Sequence, residues 1–217
     1  MKCPPHIEPV VQTRASQKKM TPKQALELLK VGNERFVNGC MLNRDLREQV
    51  SASAGGQYPF AAILSCQDSR TSSEVLFDLN KGDAFSIRIA GHVVNEDVLG
   101  GLEFSTRLMG AKLIAVIGHT RCGAIRGAID SEELGNLTAL LGRINPAVET
   151  ALDGRRRDSS DGKLVEEVAK ENVFLALRQI RERSSIIDHM IEEGQVGLVG
   201  GMYNLATGRV KFYENLK

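Results

Sequence analysis

Phe60-Ala61-Ala62-Ile63-Leu64-Ser65-Cys66-Gln67-Asp68-Ser69-Arg70 is a short apolar run that ends on a thiol, a carboxylate and a guanidinium. Its length, its branched side chains and its polar borders are those of a strand buried on both faces. Two more runs of this kind follow, 84–89 (Ala-Phe-Ser-Ile-Arg-Ile) and 112–118, and the second leads into His119-Thr120-Arg121-Cys122-Gly123. Between them, residues 95–109 set Val98, Leu99, Leu102 and Met109 on one helical face. Strands alternating with helical patterns predict a mainly parallel α/β sheet flanked by crossover helices. Such a sheet places ligands outside the carboxyl ends of its strands. Cys66, Ala90-Gly91-His92 and His119 all stand at such ends, so one sheet edge should hold them together.

Upstream, Thr21, Pro22 and Gln24 make a helix start with a capping box. Ala25, Leu28, Leu29, Gly32 and Phe36 then recur at helical spacing as far as Asn38-Gly39. This gives an N-terminal helical arm over 21–38, preceded by a flexible lead over 1–20 and followed by a polar loop over 40–57. Downstream, helices are expected from Gly123, over 136–152 despite Pro146, over 163–182 and briefly over 186–191. Residues 195–203 and 209–213 read as a terminal hairpin or edge strand. The loop 153–162 sets three arginines among three aspartates and reads as solvated. Residues 21–217 are one domain.

The 217 residues are 42% apolar and 25% charged, ordinary values for a globular protein. With 28 basic and 27 acidic side chains the net charge is +1, which gives no broad electrostatic case for nucleic acid or an anionic membrane. No apolar run approaches the roughly 18 residues of a membrane span. Met1-Lys2-Cys3-Pro4-Pro5-His6 lacks the apolar core of a secretory signal, so a cytoplasmic location is expected, or a periplasmic one if a leader was removed. Of the four cysteines, Cys3 and Cys40 have no companion ligand nearby in sequence and read as incidental, whereas Cys66 and Cys122 lie beside a histidine.

A catalytic zinc uses three protein ligands and keeps a fourth position open. Cys66, His119 and Cys122 are the natural three, and the last two can reach one ion across a turn. Two thiolates and a neutral imidazole bring zinc to zero charge, which makes it a weaker Lewis acid than one held by histidines alone. Asp68 and Arg70, two residues apart on extended chain, can face one side and pair. So paired, Asp68 is an acceptor beside the metal; released, it is able to fill the fourth position. A phosphatase loop needs five residues between Cys and Arg, and here there are three. A Cys66–His119 nucleophile pair leaves Cys122 unused, and a Cys66–Cys122 redox pair leaves His119 and Asp68 unused.

From about residue 20 onward the chain resembles the β-class carbonic anhydrases. The resemblance is carried by Gly32-Asn33-Glu34-Arg35-Phe36, Cys66-Gln67-Asp68-Ser69-Arg70, Arg88-Ile89-Ala90-Gly91, Gly118-His119-Thr120-Arg121-Cys122-Gly123 and Thr207-Gly208. It implies reversible hydration of CO2 to bicarbonate and a proton, by attack of a zinc-bound hydroxide. It also implies one Zn2+ per subunit on Cys66, His119 and Cys122, with Asp68 and Arg70 as the catalytic dyad. Gln57 matches a substrate-orienting glutamine, and Phe85, Ala90 and Phe104 match the substrate wall. His92 and Phe104 stand where asparagine and tyrosine are common, and Ala90 replaces a larger valine. His92 reads either as a proton shuttle or as a hydrogen-bonded structural histidine. The chain has no tryptophan, and Ile63 stands where the bicarbonate-inhibited subtype carries one, which favours the open site. The resemblance further implies a homodimer or homotetramer, with the arm wrapped around a partner and the cleft at the dimer interface. Hydrolysis of carbonyl sulfide or carbon disulfide on the same metal set, and a non-catalytic zinc-binding interaction module, are the alternatives.

Overall fold

The structure, a computed structural model, describes residues 3–5 and 10–213. Its five strands are β1 (Ala61–Ser65), β2 (Ala84–Arg88), β3 (Leu113–His119), β4 (Gly197–Tyr203) and β5 (Val210–Tyr213). They form one sheet in the order β2-β1-β3-β4-β5, parallel except for β5. All three apolar runs become strands. β1 and β3 are buried at every position, as an unbroken apolar run requires, while β2 is half-exposed on the sheet edge.

Ten helices are described: α1 (Arg14–Lys19), α2 (Pro22–Val37), α3 (Leu46–Ser53), α4 (Ser73–Leu76), α5 (Glu96–Glu103), α6 (Gly123–Ile129), α7 (Gly135–Gly142), α8 (Asn145–Leu152), α9 (Gly162–Arg183) and α10 (Ser185–Glu192). Alternate strand residues point to opposite faces. Ala62, Leu64, Ile114 and Val116 pack under α5, α9 and α10. Ala61, Ile63, Leu113, Ala115 and Ile117 meet Ala25 and Leu29 of α2 and Phe77 after α4. A third cluster, beneath α6, α8 and α9, contains Cys66 and Cys122. Each buried aliphatic or aromatic side chain in these layers contributes about 1.5–3 kcal/mol, so the sheet edge that carries the cysteines is anchored by three cores.

Several expectations change. Within the lead 1–20, Thr13 and Ser16 form a capping box for α1, and the buried Gln17 side chain donates to Pro59 O and Met109 O at 2.7 and 2.8 Å. Cys3 and Cys40, read as incidental, are joined in a disulfide with a Cα–Cα distance of 6.2 Å. The capping box at Thr21 forms as expected, and Ala25 and Leu29 of α2 pack on the chain's own sheet. The polar loop 40–57 contains α3, capped by Asp45. The single helix over 136–152 is two, because Pro146 opens α8 instead of sitting inside a longer helix. β4 and β5 form the expected terminal hairpin, with β4 an interior strand and β5 the edge opposite β2. The loop 153–162 is largely exposed, as expected, and within it Arg155 and Arg157 also bond Ala151 O, Leu152 O and Ala128 O. No helix among the described residues is long and apolar enough to cross a membrane.

Candidate metal centre

Cys66 follows β1 directly, His119 ends β3, and Cys122 caps the start of α6. Ser65 registers with Ile117, so the next residue of β1 falls beside Gly118 and His119. Between His119 and Cys122 the chain turns through Arg121, whose φ of 56° is left-handed. A non-glycine residue there is strained and needs its surroundings to hold it; this turn folds Cys122 back toward the imidazole. Gly118 is required for a different reason: a Cβ there would stand 2.8 Å from both Met202 Sδ and Val173 Cγ2. The outcome is a cluster in which the ligand atoms of Cys66, His119 and Cys122 lie within 4.8 Å of one another, all buried.

The donor set fits zinc. Cys66 Sγ and Cys122 Sγ are 3.9 Å apart, and two thiolates at about 2.3 Å from a tetrahedral zinc stand about 3.8 Å apart. His119 Nδ1 lies 2.9 Å from Thr120 O, which assigns the proton to Nδ1 and leaves the Nε2 lone pair bare. That Nε2 is buried without any hydrogen-bond partner, a costly arrangement unless an electrophile occupies the point it faces. The hydrogen bond from Cys122 holds the Cys66 thiol well below its usual range, helped by the Gly91 N–H, while Cys122, bonded to Cys66 and desolvated, is pushed up. A divalent cation bound there would hold both sulfurs as thiolates.

Asp68 and Arg70 pair as the sequence predicts. Arg70 Nε and Nη2 donate to Asp68 Oδ1 and Oδ2 at 2.9 and 2.7 Å, and the Arg70 backbone N–H adds a third bond at 3.0 Å. The Arg70 side chain is the main reason the Asp68 carboxyl titrates below the usual carboxylate range. Two residues given no role in the sequence reading hold this loop. Thr71 Oγ1 donates to Cys66 O and Asp68 O, both at 2.9 Å, and Arg88 reaches the same two carbonyls from β2 at 3.2 and 2.6 Å. Arg88 stands in a quoted motif, but only the strand pairing reveals what it grips.

The remaining predicted residues divide. Ala90 is buried in the 3-10 turn Ala90–His92, whose Gly91 N–H donates to Cys66 Sγ at 3.4 Å, so it belongs beside the cluster. His92 is 1% exposed, with Nε2 3.1 Å from Asn172 Nδ2 and Nδ1 buried without a hydrogen-bond partner, and burial pushes its pKa down to about 4. Gln57 is exposed ahead of β1. Phe85 registers with Ala62, four residues before Cys66, which places it roughly 13 Å down the strand at about 3.3 Å per residue. Phe104 packs edge-on against Phe85 at 5.8 Å and is 46% exposed. Within one chain Phe85 and Phe104 lie down the β2 edge from the metal cluster, and Gln57 precedes the amino end of β1.

Residues 61–210 match the family model described as carbonic anhydrase. Carbonic anhydrase 2 of Mycobacterium tuberculosis is 35% identical over 201 residues, covering 90% of this chain and 94% of that protein. The β-carbonic anhydrase CafA of Aspergillus fumigatus superposes with a TM-score of 0.69 at 26% identity, over 90% of this chain and 92% of that one. One of two tetrameric β-carbonic anhydrases from Sordaria macrospora shares the fold with a TM-score of 0.69 at 21% identity, over 76% of this chain and 89% of that one.

Proposed function

This chain belongs to the β-class carbonic anhydrases, enzymes of CO2 hydration, and on that premise we propose that it interconverts CO2 and bicarbonate on one zinc ion held by Cys66, His119 and Cys122. The observation that carries the metal assignment is the bare, buried Nε2 of His119 facing two thiols 3.9 Å apart. Zinc bound there would supply a Lewis acid that lowers the pKa of a coordinated water. The protein does the rest. Asp68, ionised and gripped by Arg70, stays off the metal and accepts a hydrogen bond from the nucleophile, which aims the oxygen's lone pair at the carbon of CO2. Arg70 thus sets the role of Asp68, and Thr71 and Arg88 fix the loop that carries both. Ala90 leaves apolar room beside the cluster for a substrate without charge.

We place the complete cleft between two subunits. A two-fold axis across the β2 edge would run the two β2 strands antiparallel, and an isologous contact of this kind is self-complementary. It would set Phe85 of one subunit beside the carboxyl end of the other's β2, next to that subunit's Cys66, and bring Phe104 and Gln57 toward it. The half-exposed β2 and the exposed Phe104, Leu108 and Val75 support this edge as the contact. Homodimers or tetramers result.

The deciding experiment is zinc content measured with CO2 hydration by stopped flow on the same sample. One zinc per chain and rapid hydration are expected. Zinc without hydration would reduce the chain to a binding module, and hydration without zinc would remove Cys66, His119 and Cys122 from the reaction.

A further inference from the structure

We propose that Asn172 is a positioning residue for the metal ligand Cys66, acting through the turn Ala90–His92: it clamps that turn so that Gly91 N–H stays aimed at Cys66 Sγ. The inference rests on the metal reading above.

Asn172 lies in the middle of α9, on a helix that supplies no ligand, and is 2% exposed. Its Nδ2 lies 2.7 Å from Gly91 O and 3.1 Å from His92 Nε2. An amide nitrogen has two hydrogens, and these are its two acceptors. His92 is able to accept because its burial keeps the ring neutral. The amide therefore holds the peptide carbonyl that follows Gly91 and the side chain of the residue after it.

The turn needs such a clamp. Gly91 and His92 have φ of 63° and 45°, two left-handed residues in succession. At His92 this conformation is strained. At Gly91 it is unstrained, but glycine offers little steric resistance to rotating away. The orientation of the Gly91 N–H is therefore set by what grips the peptide unit on its far side, which is Asn172. That N–H stands 3.4 Å from Cys66 Sγ, where it stabilises negative charge on sulfur. Space enforces the same geometry: a Cβ on Gly91 would fall 2.7 Å from Ile144 Cδ1, so the turn has no room for a residue stiff enough to dispense with the clamp. The chain of contacts runs from α9 through Asn172 to Gly91 and on to the sulfur.

Partners of this kind around a metal alter its affinity by about 10- to 100-fold. The test uses the zinc-loaded enzyme and the variants Asn172→Ala and Asn172→Ser, with folding checked by circular dichroism. Zinc affinity is read by competition with a chromophoric chelator, and the sulfur's electron density by the thiolate-to-metal charge-transfer band of the cobalt(II)-loaded protein. The expected result is weaker zinc binding by about 10-fold or more in Asn172→Ala, a shifted cobalt band, and a smaller change in Asn172→Ser, which keeps a short hydroxyl donor. A merely structural asparagine would lower the melting temperature and leave the cobalt band in place. Unchanged affinity and an unchanged band in a folded variant overturn the proposal, and so does failure of both variants to fold. Wild-type protein that takes up no zinc overturns the metal reading as well, whereas variants that bind zinc as the wild type does overturn this inference alone.

Discussion

Arg70 grips both carboxylate oxygens of Asp68, its Nε 2.9 Å from Oδ1 and its Nη2 2.7 Å from Oδ2. On the proposed mechanism, this pair sets whether Asp68 serves as an acceptor beside the metal or as a fourth ligand on it. Asp68→Asn removes the charge that accepts the nucleophile's hydrogen bond while keeping the shape. It should retain one zinc per chain and lose about 10²- to 10³-fold in kcat/KM, the scale of one lost orienting hydrogen bond in a reacting site. Arg70→Ala should also retain zinc and lose activity, because the freed carboxylate is then able to reach the metal. Zinc content and stopped-flow hydration on both variants check this. Wild-type rates in Asp68→Asn would remove the residue from the mechanism.

The central strands and the ligand set were legible because both are local signals. β1 and β3 are unbroken apolar runs, and Cys66, His119 and Cys122 stand at their ends, where the parallel topology gathers them. What stayed hidden depends on contacts through space. α3 carries Leu46 and Val50 on its exposed face, 57% and 52% exposed, and buries only Gln49, so it has no apolar period to read. Cys3 and Cys40 are 37 residues apart, and nothing along the chain announces their bond. Arg88 is an ordinary edge-strand arginine until register sets it beside the Cys66 and Asp68 carbonyls. Gln57, Phe85 and Phe104 came only from the family resemblance, and a single chain holds Phe85 and Phe104 down the β2 edge from the cysteines.

Asp83 should make stability fall as pH rises. Its carboxyl is buried, with Oδ2 accepting from Asn80 N at 2.8 Å and Oδ1 without a partner. Burial raises its pKa to about 6, from 3.8 in the unfolded chain. The folded state therefore binds the proton more tightly, and stability declines with increasing pH between these two values. The resulting penalty is about 3 kcal/mol above pH 7 and about half that at pH 5. Asp83→Asn should raise the melting temperature at pH 8 by several degrees, with the gain shrinking at pH 5. Calorimetry at both pH values checks this, and a gain that does not depend on pH would assign the effect to packing instead.

The Cys3–Cys40 disulfide should stabilise the fold without touching the chemistry. Closing a 37-residue separation restricts the unfolded chain by an amount worth about 3–4 kcal/mol. Neither cysteine belongs to the cluster that holds Cys66 and Cys122. Cys40→Ser should lower the melting temperature by about 6–16 °C and leave kcat and zinc content at 25 °C as they were. A changed kcat would couple this end of the molecule to the cleft.

The separation of Gln57 from Cys66 within one chain can be tested by mixing defects. If each cleft draws Gln57 from one subunit and zinc ligands from the other, Cys66→Ser and Gln57→Ala damage different halves of the same composite site. Each homodimer then carries two damaged sites. A heterodimer of the two variants carries one site with both defects and one with neither. Random assembly of equal amounts makes about half of all dimers heterodimers, so activity should recover to about a quarter of the wild-type level. The Cys66→Ser parent should be inactive, which makes the recovered signal readable against the residual rate of Gln57→Ala alone. Co-expression with two affinity tags and stopped-flow hydration of the doubly tagged fraction, expected at half the wild-type rate per dimer, measures it directly. A doubly tagged dimer no more active than the mean of its parents would place Gln57 in the same subunit's cleft or outside the reaction, and with it the β2-edge dimer would fall.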